Sequence, residues 1–149
     1  MNKVQDVNII LIDADDRVRG YLRSMLYRYG FANIQEVGSG DKALQAISLA
    51  SINLVFLDTN VAGANGFELI QDIKKIQPKC QIIVTSTGVT KDLVDQITDA
   101  HIKMVVLKPF SNRTIETKVQ QVLPILYKTS WPIDPNLSTA SNEHTLNAT

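Results

Sequence analysis

Leu54-Val55-Phe56-Leu57-Asp58-Thr59-Asn60 is the stretch around which the chain is read. Four apolar residues in a row, with β-formers at two of them, describe a strand buried on both faces, and the run ends abruptly in a carboxylate. In an open parallel α/β sheet the carboxyl ends of the strands line the crevice where ligands bind, which places Asp58 at its floor. Alone, a strand-end Asp is more often a loop residue capping the next turn. Asp58 has company at the neighbouring strand ends.

Val7 to Ile12 shows the same pattern, an apolar run ending in Asp13-Ala14-Asp15-Asp16. Val18, Leu22, Met25, Leu26 and Tyr29 then recur at helical spacing, with Asp15 or Asp16 as the cap and Gly30 as the terminator. Ile34 to Val37 reads as a weaker second strand, and Gly38-Ser39-Gly40 turns the chain into a helix with Ala43, Leu44 and Ile47 inward. After Asp58 a small-residue loop, Val61 to Gly66, leads to a helix burying Leu69, Ile70, Ile73 and Ile76, stopped by Gln77-Pro78. Gln81 to Thr85 is the fourth strand and runs into the hydroxyls Thr85-Ser86-Thr87. Thr90 caps a helix with Leu93, Val94 and Ile97 on one face. Met104 to Leu107 is the fifth strand and ends in Lys108-Pro109-Phe110. Ser111 opens a last helix carrying Ile115, Val119, Val122, Leu123 and Leu126, bent or ended near Pro124.

Strands alternating with helices through crossover-length connections predict an α/β, doubly wound, five-stranded parallel sheet of order 2-1-3-4-5. Its switch point lies between strands one and three, which sets Asp13 beside Asp58. Residues 1–128 form the predicted domain. Residues 129–149 are rich in Ser, Thr, Asn and Pro and read as a flexible polar tail, with Trp131 as a candidate anchor back onto the domain.

Composition narrows the function classes. Fifteen basic residues balance fifteen acidic ones in 149, which argues against a nucleic-acid or membrane surface as the main business of the fold. The single cysteine, Cys80, excludes an internal disulfide and a multi-cysteine metal site, and suits a reducing compartment. Asp13 interrupts the first apolar run before it reaches the length of a signal peptide or membrane span, so the expected location is cytoplasmic.

Asp13, Asp58, Lys108 and the Ser86 hydroxyl thus converge on one crevice. Two close carboxylates favour a hard divalent cation such as Mg²⁺, an ammonium opposite them steadies Asp58 as an anion, and a hydroxyl adds a donor. Carboxylate, cation, ammonium and hydroxyl are the parts that phosphoryl transfer to an aspartate requires.

These residues carry a resemblance. Asp13 with Arg19 behind it, Gly40-Asp41-Lys42-Ala43-Leu44, Asp58 with Gly66 eight residues on, and Lys108-Pro109-Phe110 occur in the order and spacing of the receiver domain of two-component response regulators. The chain from Met1 to about Lys128 is similar to that family, whose fold is flavodoxin-like. The resemblance implies Asp58 as phosphoacceptor, Lys108 on the phosphoryl group, Ser86 as switch hydroxyl with Thr85 as the alternative, and Asp13, Asp58 and the Asn60 carbonyl as Mg²⁺ ligands. It implies a histidine kinase or phosphotransfer protein as donor and an output partner on the face from Thr90 to Lys128, in a monomer or weak homodimer. Such a protein is a phosphoacceptor with at most self-catalysed transfer and hydrolysis, not an enzyme in the usual sense.

Three positions depart from the family pattern. Ala14 stands where a second acid is usual, which should weaken Mg²⁺ binding unless Asp15 takes its place. Val105 stands where an aromatic ring usually swings with the hydroxyl, and Val61-Ala62 where Met-Pro is common. Two readings of the resemblance therefore compete: a phosphoacceptor receiver, and a degenerate receiver acting as a phosphorylation-independent binding module. A flavodoxin-like carrier or small-molecule enzyme ranks last, because Asp13-Ala14-Asp15-Asp16 would repel a phosphate where such folds place a glycine-rich loop. The 21 residues after 128 cannot build a DNA-binding module. Output is expected through the receiver surface, unless the chain is a piece of something longer.

Overall fold

A computed structural model describes residues 4–130 apart from positions 62 and 64. The proposed Trp131 anchor and the polar run to Thr149 lie outside the described residues. A single 3₁₀ turn, Val4–Asp6, leads into β1, Asn8–Ile12. The chain then alternates through α1 (Asp16–Arg28), β2 (Asn33–Val37), α2 (Gly40–Leu49), β3 (Leu54–Asp58), α3 (Gly66–Ile76), β4 (Gln81–Ser86), α4 (Lys91–Asp99), β5 (Met104–Leu107) and α5 (Asn112–Ser130). All strand pairs are parallel, in the order β2-β1-β3-β4-β5.

The sheet separates two cores, and strand alternation assigns each side chain to one of them. Ile9, Leu11, Leu54, Phe56, Ile83 and Val106 meet the inward stripes of α1 and α5. Ile10, Ile12, Val55, Leu57, Ile82 and Val84 meet those of α2, α3 and α4. Every residue of β3 is buried, as its unbroken apolar run demands.

Helix ends follow local chemistry. The side chains of Asp15, Ser39, Asn65 and Thr90 each accept a backbone N–H in the first turn of α1, α2, α3 and α4. The end of α1 is a Schellman arrangement: the Phe31 N–H donates to the Leu26 carbonyl, the Gly30 N–H to that of Tyr27, and Gly30 takes φ +96°. α4 ends in the same way, with Ile102 N–H on the Ile97 carbonyl and His101 N–H on that of Thr98. The left-handed position there is occupied by His101 at φ 56°, a side-chain-bearing residue where glycine is usual.

Three details differ from the sequence-based expectation. Ile76, the last residue of α3, is 41% exposed because it lies past the part of the helix that covers the sheet. Val94 is 44% exposed, since the nine-residue α4 buries only Leu93 and packs Ile97 partly behind it. Of the two readings at Pro124, a bend or an end, the end is excluded: α5 continues to Ser130. Pro124 and Gln120, whose carbonyl loses its helical partner, are both exposed, so water can take that acceptor. Cys80 is buried just before β4, and burial pushes its thiol up to about 11, so it is a poor nucleophile.

Replacing His101 by Gly should relieve the left-handed strain, about 1–2 kcal/mol, less the greater freedom that Gly has in the unfolded chain, about 0.4–1 kcal/mol. His101→Gly is predicted to be more stable by about 0.5–1 kcal/mol in urea denaturation. A variant no more stable than the wild type would mean that the His101 side chain makes a compensating contact.

Candidate functional site

Sheet order creates the site. Ile12 pairs with Leu57, so the next residues, Asp13 and Asp58, emerge side by side from β1 and β3. Ser86 pairs with Leu107, which brings Lys108 to the same end of the sheet. Asp13, Asp58 and Ser86 are 3%, 8% and 6% exposed. Lys108 Nζ lies 2.6 Å from Asp13 Oδ2 and 3.4 Å from Asp58 Oδ2, so one ammonium serves two carboxylates.

The remaining carboxylate oxygens are held by backbone. Asp15 N–H donates to Asp13 Oδ1 at 2.9 Å, and Asn60 N–H to Asp58 Oδ1 at 3.2 Å. The loop after β3 is drawn tightly around Asp58. Val61 N–H donates to the Asp58 carbonyl, and a Cβ on Gly66 would stand 2.7 Å from the Thr59 carbonyl oxygen, so only glycine fits where α3 begins. Thr59 N–H bonds the Thr85 carbonyl, and Lys108 N–H the Ser86 carbonyl at 2.7 Å. The Lys108-Pro109 peptide is cis.

The Ser86 hydroxyl donates to the Gly88 carbonyl at 2.9 Å within its own loop. Ser86 and Asn60 line one cleft of about 620 Å³, while Lys108, Thr87 and Asp15 line a neighbouring groove of about 480 Å³. Thr85, the alternative hydroxyl, is buried at 2% and lines neither. The structure therefore brings Asp13, Asp58 and Lys108 into contact, sets Asn60 against Asp58, and presents Ser86 at the rim.

The other acids of the first loop are committed elsewhere. Asp15 caps α1, and the backbone N–H of Arg17 first, then its side chain, hold the Asp15 carboxyl below the usual carboxylate range. Asp16 pairs with Arg19, which also donates to the Asp13 carbonyl and reaches Glu36 at 3.3 Å. This tether from β2 had no signal in the sequence, because Glu36 reads as an outward residue of a weak strand. Ala14 is exposed. Among the described residues no group of three or more His, Cys, Asp or Glu side chains could hold a metal ion. Asp13 and Asp58 with the Asn60 main chain still fit a hard cation that keeps several waters, since Mg²⁺ commonly takes only one or two carboxylates.

A crevice of this kind at the carboxyl ends of a 2-1-3-4-5 sheet defines a doubly wound domain with an acidic site at its switch point. Residues 9–120 match the response regulator receiver domain, and the chain belongs to that family of two-component signalling proteins. It is 29% identical over 131 residues to the transcriptional regulatory protein ResD of Bacillus subtilis, covering 88% of this chain and 54% of that one. It spans about half the length of ResD and of the probable transcriptional regulator ycf27 of Cyanidium caldarium. A CheY-like receiver domain protein from Methanospirillum hungatei superposes with a TM-score of 0.76 at 19% identity, over 82% of this chain and 97% of that one. A Burkholderia pseudomallei response regulator with a phosphorylated aspartic acid and a calcium ion does so at 0.70 and 19%, over 95% and 93%. Receiver domains are phosphoacceptors that interact with histidine kinases or phosphotransfer proteins and generally bind Mg²⁺ at acidic residues. Among the described residues no helix is long and apolar enough to cross a membrane.

With two carboxylates and one ammonium the buried site carries a net negative charge, which sets opposite signs for two substitutions. Asp58→Asn keeps an acceptor for Asn60 N–H and removes the like-charge repulsion, so in Mg²⁺-free buffer it should stabilise the fold by about 1 kcal/mol. Lys108→Met leaves both carboxylates without their cation and should cost about 2–4 kcal/mol. Denaturation midpoints of the two variants decide this, and equal shifts would contradict the charge assignment.

Proposed function

We propose that this receiver accepts a phosphoryl group on Asp58. The observation that carries the reading is the Asp58 carboxylate itself: buried at a strand end, oriented by Asn60 N–H, and within 3.4 Å of the one ammonium it shares with Asp13. A carboxylate oxygen attacks phosphorus, the new O–P bond forms as the bond to the donor breaks, and the donor leaves with its electron pair. Lys108 is placed to follow the charge from the carboxylate onto the phosphoryl oxygens, and Ser86 to turn from Gly88 and donate to one of them. Asp13, Asp58 and the Asn60 carbonyl are the groups that would hold Mg²⁺, which when bound neutralises charge on the phosphoryl oxygens. The domain is assigned to residues 1–128, and a histidine kinase or phosphotransfer protein is the proposed donor. Signalling then passes through protein contacts on α4, β5 and α5, where Val94 and Leu107 are exposed at 44% and 47% and offer apolar area to a partner.

The degenerate reading has its own observation. Ala14 supplies no ligand, and Asp15 cannot replace it without giving up the cap of α1. Both readings meet in one measurement. Incubation with a small phosphodonor and Mg²⁺ should add the mass of one phosphoryl group to the wild type and none to Asp58→Asn. A shift that persists in Asp58→Asn removes the assignment, and a folded wild type that takes no phosphoryl group favours the binding module.

Ala14→Asp adds a third carboxylate beside Asp13 and Asp58. Mg²⁺ should bind it more tightly by about 1–3 kcal/mol, the size of a short-range charge interaction. Fluorescence or amide-shift titration with Mg²⁺ measures this directly. Equal affinity would show that another group already supplies the ligand.

A further inference from the structure

A groove of about 570 Å³ opens at the amino ends of β4 and β5, the opposite end of the sheet from Asp58, between α3, the turn before β5 and the later part of α5. Met104, Pro124 and Ile125 give it an apolar wall on the α5 side. Lys74, His101 and Lys103 give it a basic wall, and among the described residues no Asp or Glu lines it. Lys74 is half-buried and uses one ammonium proton on the Ala100 carbonyl at 2.6 Å. None of the three basic side chains is in an ion pair among the described residues. A partly buried ammonium without a counter-ion favours an anionic occupant, and the apolar wall favours one with a hydrophobic body.

The chain itself supplies such a segment. Beyond α5, Trp131-Pro132-Ile133-Asp134 joins two large apolar side chains to a carboxylate, and residues 131–149 hold two acids, Asp134 and Glu143, and no Lys or Arg. α5 begins after the carboxyl end of β5 and runs back along the sheet, so it delivers this segment at the end where the groove lies. Ser130 stands five residues past Ile125, about 7.5 Å of helix, and the next four residues span up to about 13 Å when extended, enough to fold back to the level of Ile125.

We infer that Trp131 to Asp134 docks in this groove of its own chain, with Trp131 and Ile133 on the apolar wall and Asp134 against Lys74 and Lys103. Alternate residues of an extended segment face the same way, which puts the two apolar side chains toward α5 and the carboxylate toward the basic wall. Pro132 disfavours helical backbone at Trp131, so the chain can leave the α5 axis there. Tethering supplies an effective concentration on the order of millimolar, so a contact of modest intrinsic strength is occupied. Docked, the segment braces α5 against α3 and the turn before β5. The contact does not depend on whether Asp58 takes a phosphoryl group.

Trp131 is the single tryptophan, so the fluorescence of the full chain reports on this segment alone. Expected are an emission maximum to the blue of that in urea and weaker quenching by acrylamide. In ¹⁵N spectra of the full chain, Trp131→Ala should shift amides centred on His101 to Met104 and on Ile125, independently of protein concentration. Asp134→Lys and Lys103→Glu should each lower the docked-to-free ratio about two- to five-fold, the effect of an exposed charge pair, and the double variant should recover it. Should Lys103→Glu lose its dispersed spectrum, Asp134→Lys together with weakening of the wild-type contact by salt decides the charge pairing. Emission like that in urea, shifts centred elsewhere, or shifts that grow with concentration and so place a second copy's segment in the groove would each overturn the inference. So would docking that neither Asp134→Lys nor salt weakens, or a folded double variant no better docked than its parents.

Discussion

The Lys108 ammonium between Asp13 and Asp58 is the interaction on which the rest of the arrangement depends. Burying two carboxylates a few ångströms apart costs several kcal/mol per ion unless a cation and backbone donors stand against them. The fold meets that cost with its strand order and parts of three connections. Order 2-1-3 sets the two acids side by side, β5 delivers the lysine, the turn after β1 gives Asp15 N–H to Asp13, and the loop after β3 gives Asn60 N–H to Asp58. None of these groups has a reason to be where it is in the packing of the cores.

Most of the fold was legible because burial on both faces leaves a plain signal. β3 is five buried residues in a row, and a strand of that kind has no alternative but the middle of a parallel sheet. The strand-end acids and lysine were legible for the complementary reason, since a charge directly after such a run has no place in a core. What failed was governed by where an element stops. The periodicity of α3 includes Ile76 and that of α4 includes Val94, but periodicity states which face is apolar and not how far the neighbouring layer extends beneath it. A proline in the pattern suggests a bend or an end, yet a proline on the solvent face removes a bond that water replaces, and Leu123, Leu126 and Tyr127 remain buried on the other side of a helix that runs on.

Within the site, the sequence identified the groups that carry charge and missed those that orient them. Arg19 could be placed behind Asp13 by its position on α1. Its bridge to Glu36 needs β2 beside β1 and a register that pairs Leu11 with Glu36, which no local pattern shows.

Ala14 and Val105 change the electrostatics and the mechanics of the site in different ways. With a carboxylate at 14 the crevice would hold three acids against one lysine, a charge that demands a divalent cation before any phosphoryl group can approach. With Ala14 it holds two, and Lys108 already neutralises one of them. On the proposed phosphoacceptor reading, Mg²⁺ would be drawn in less strongly but an incoming phosphoryl group would also meet less repulsion. Val105 is only partly buried and offers no aromatic ring beside the Ser86 hydroxyl, which donates to the Gly88 carbonyl. The contacts that link Ser86 to its surroundings are instead backbone ones: its carbonyl accepts the Lys108 N–H, and its hydroxyl bonds the Gly88 carbonyl in the loop that leads to Thr90, the cap of α4.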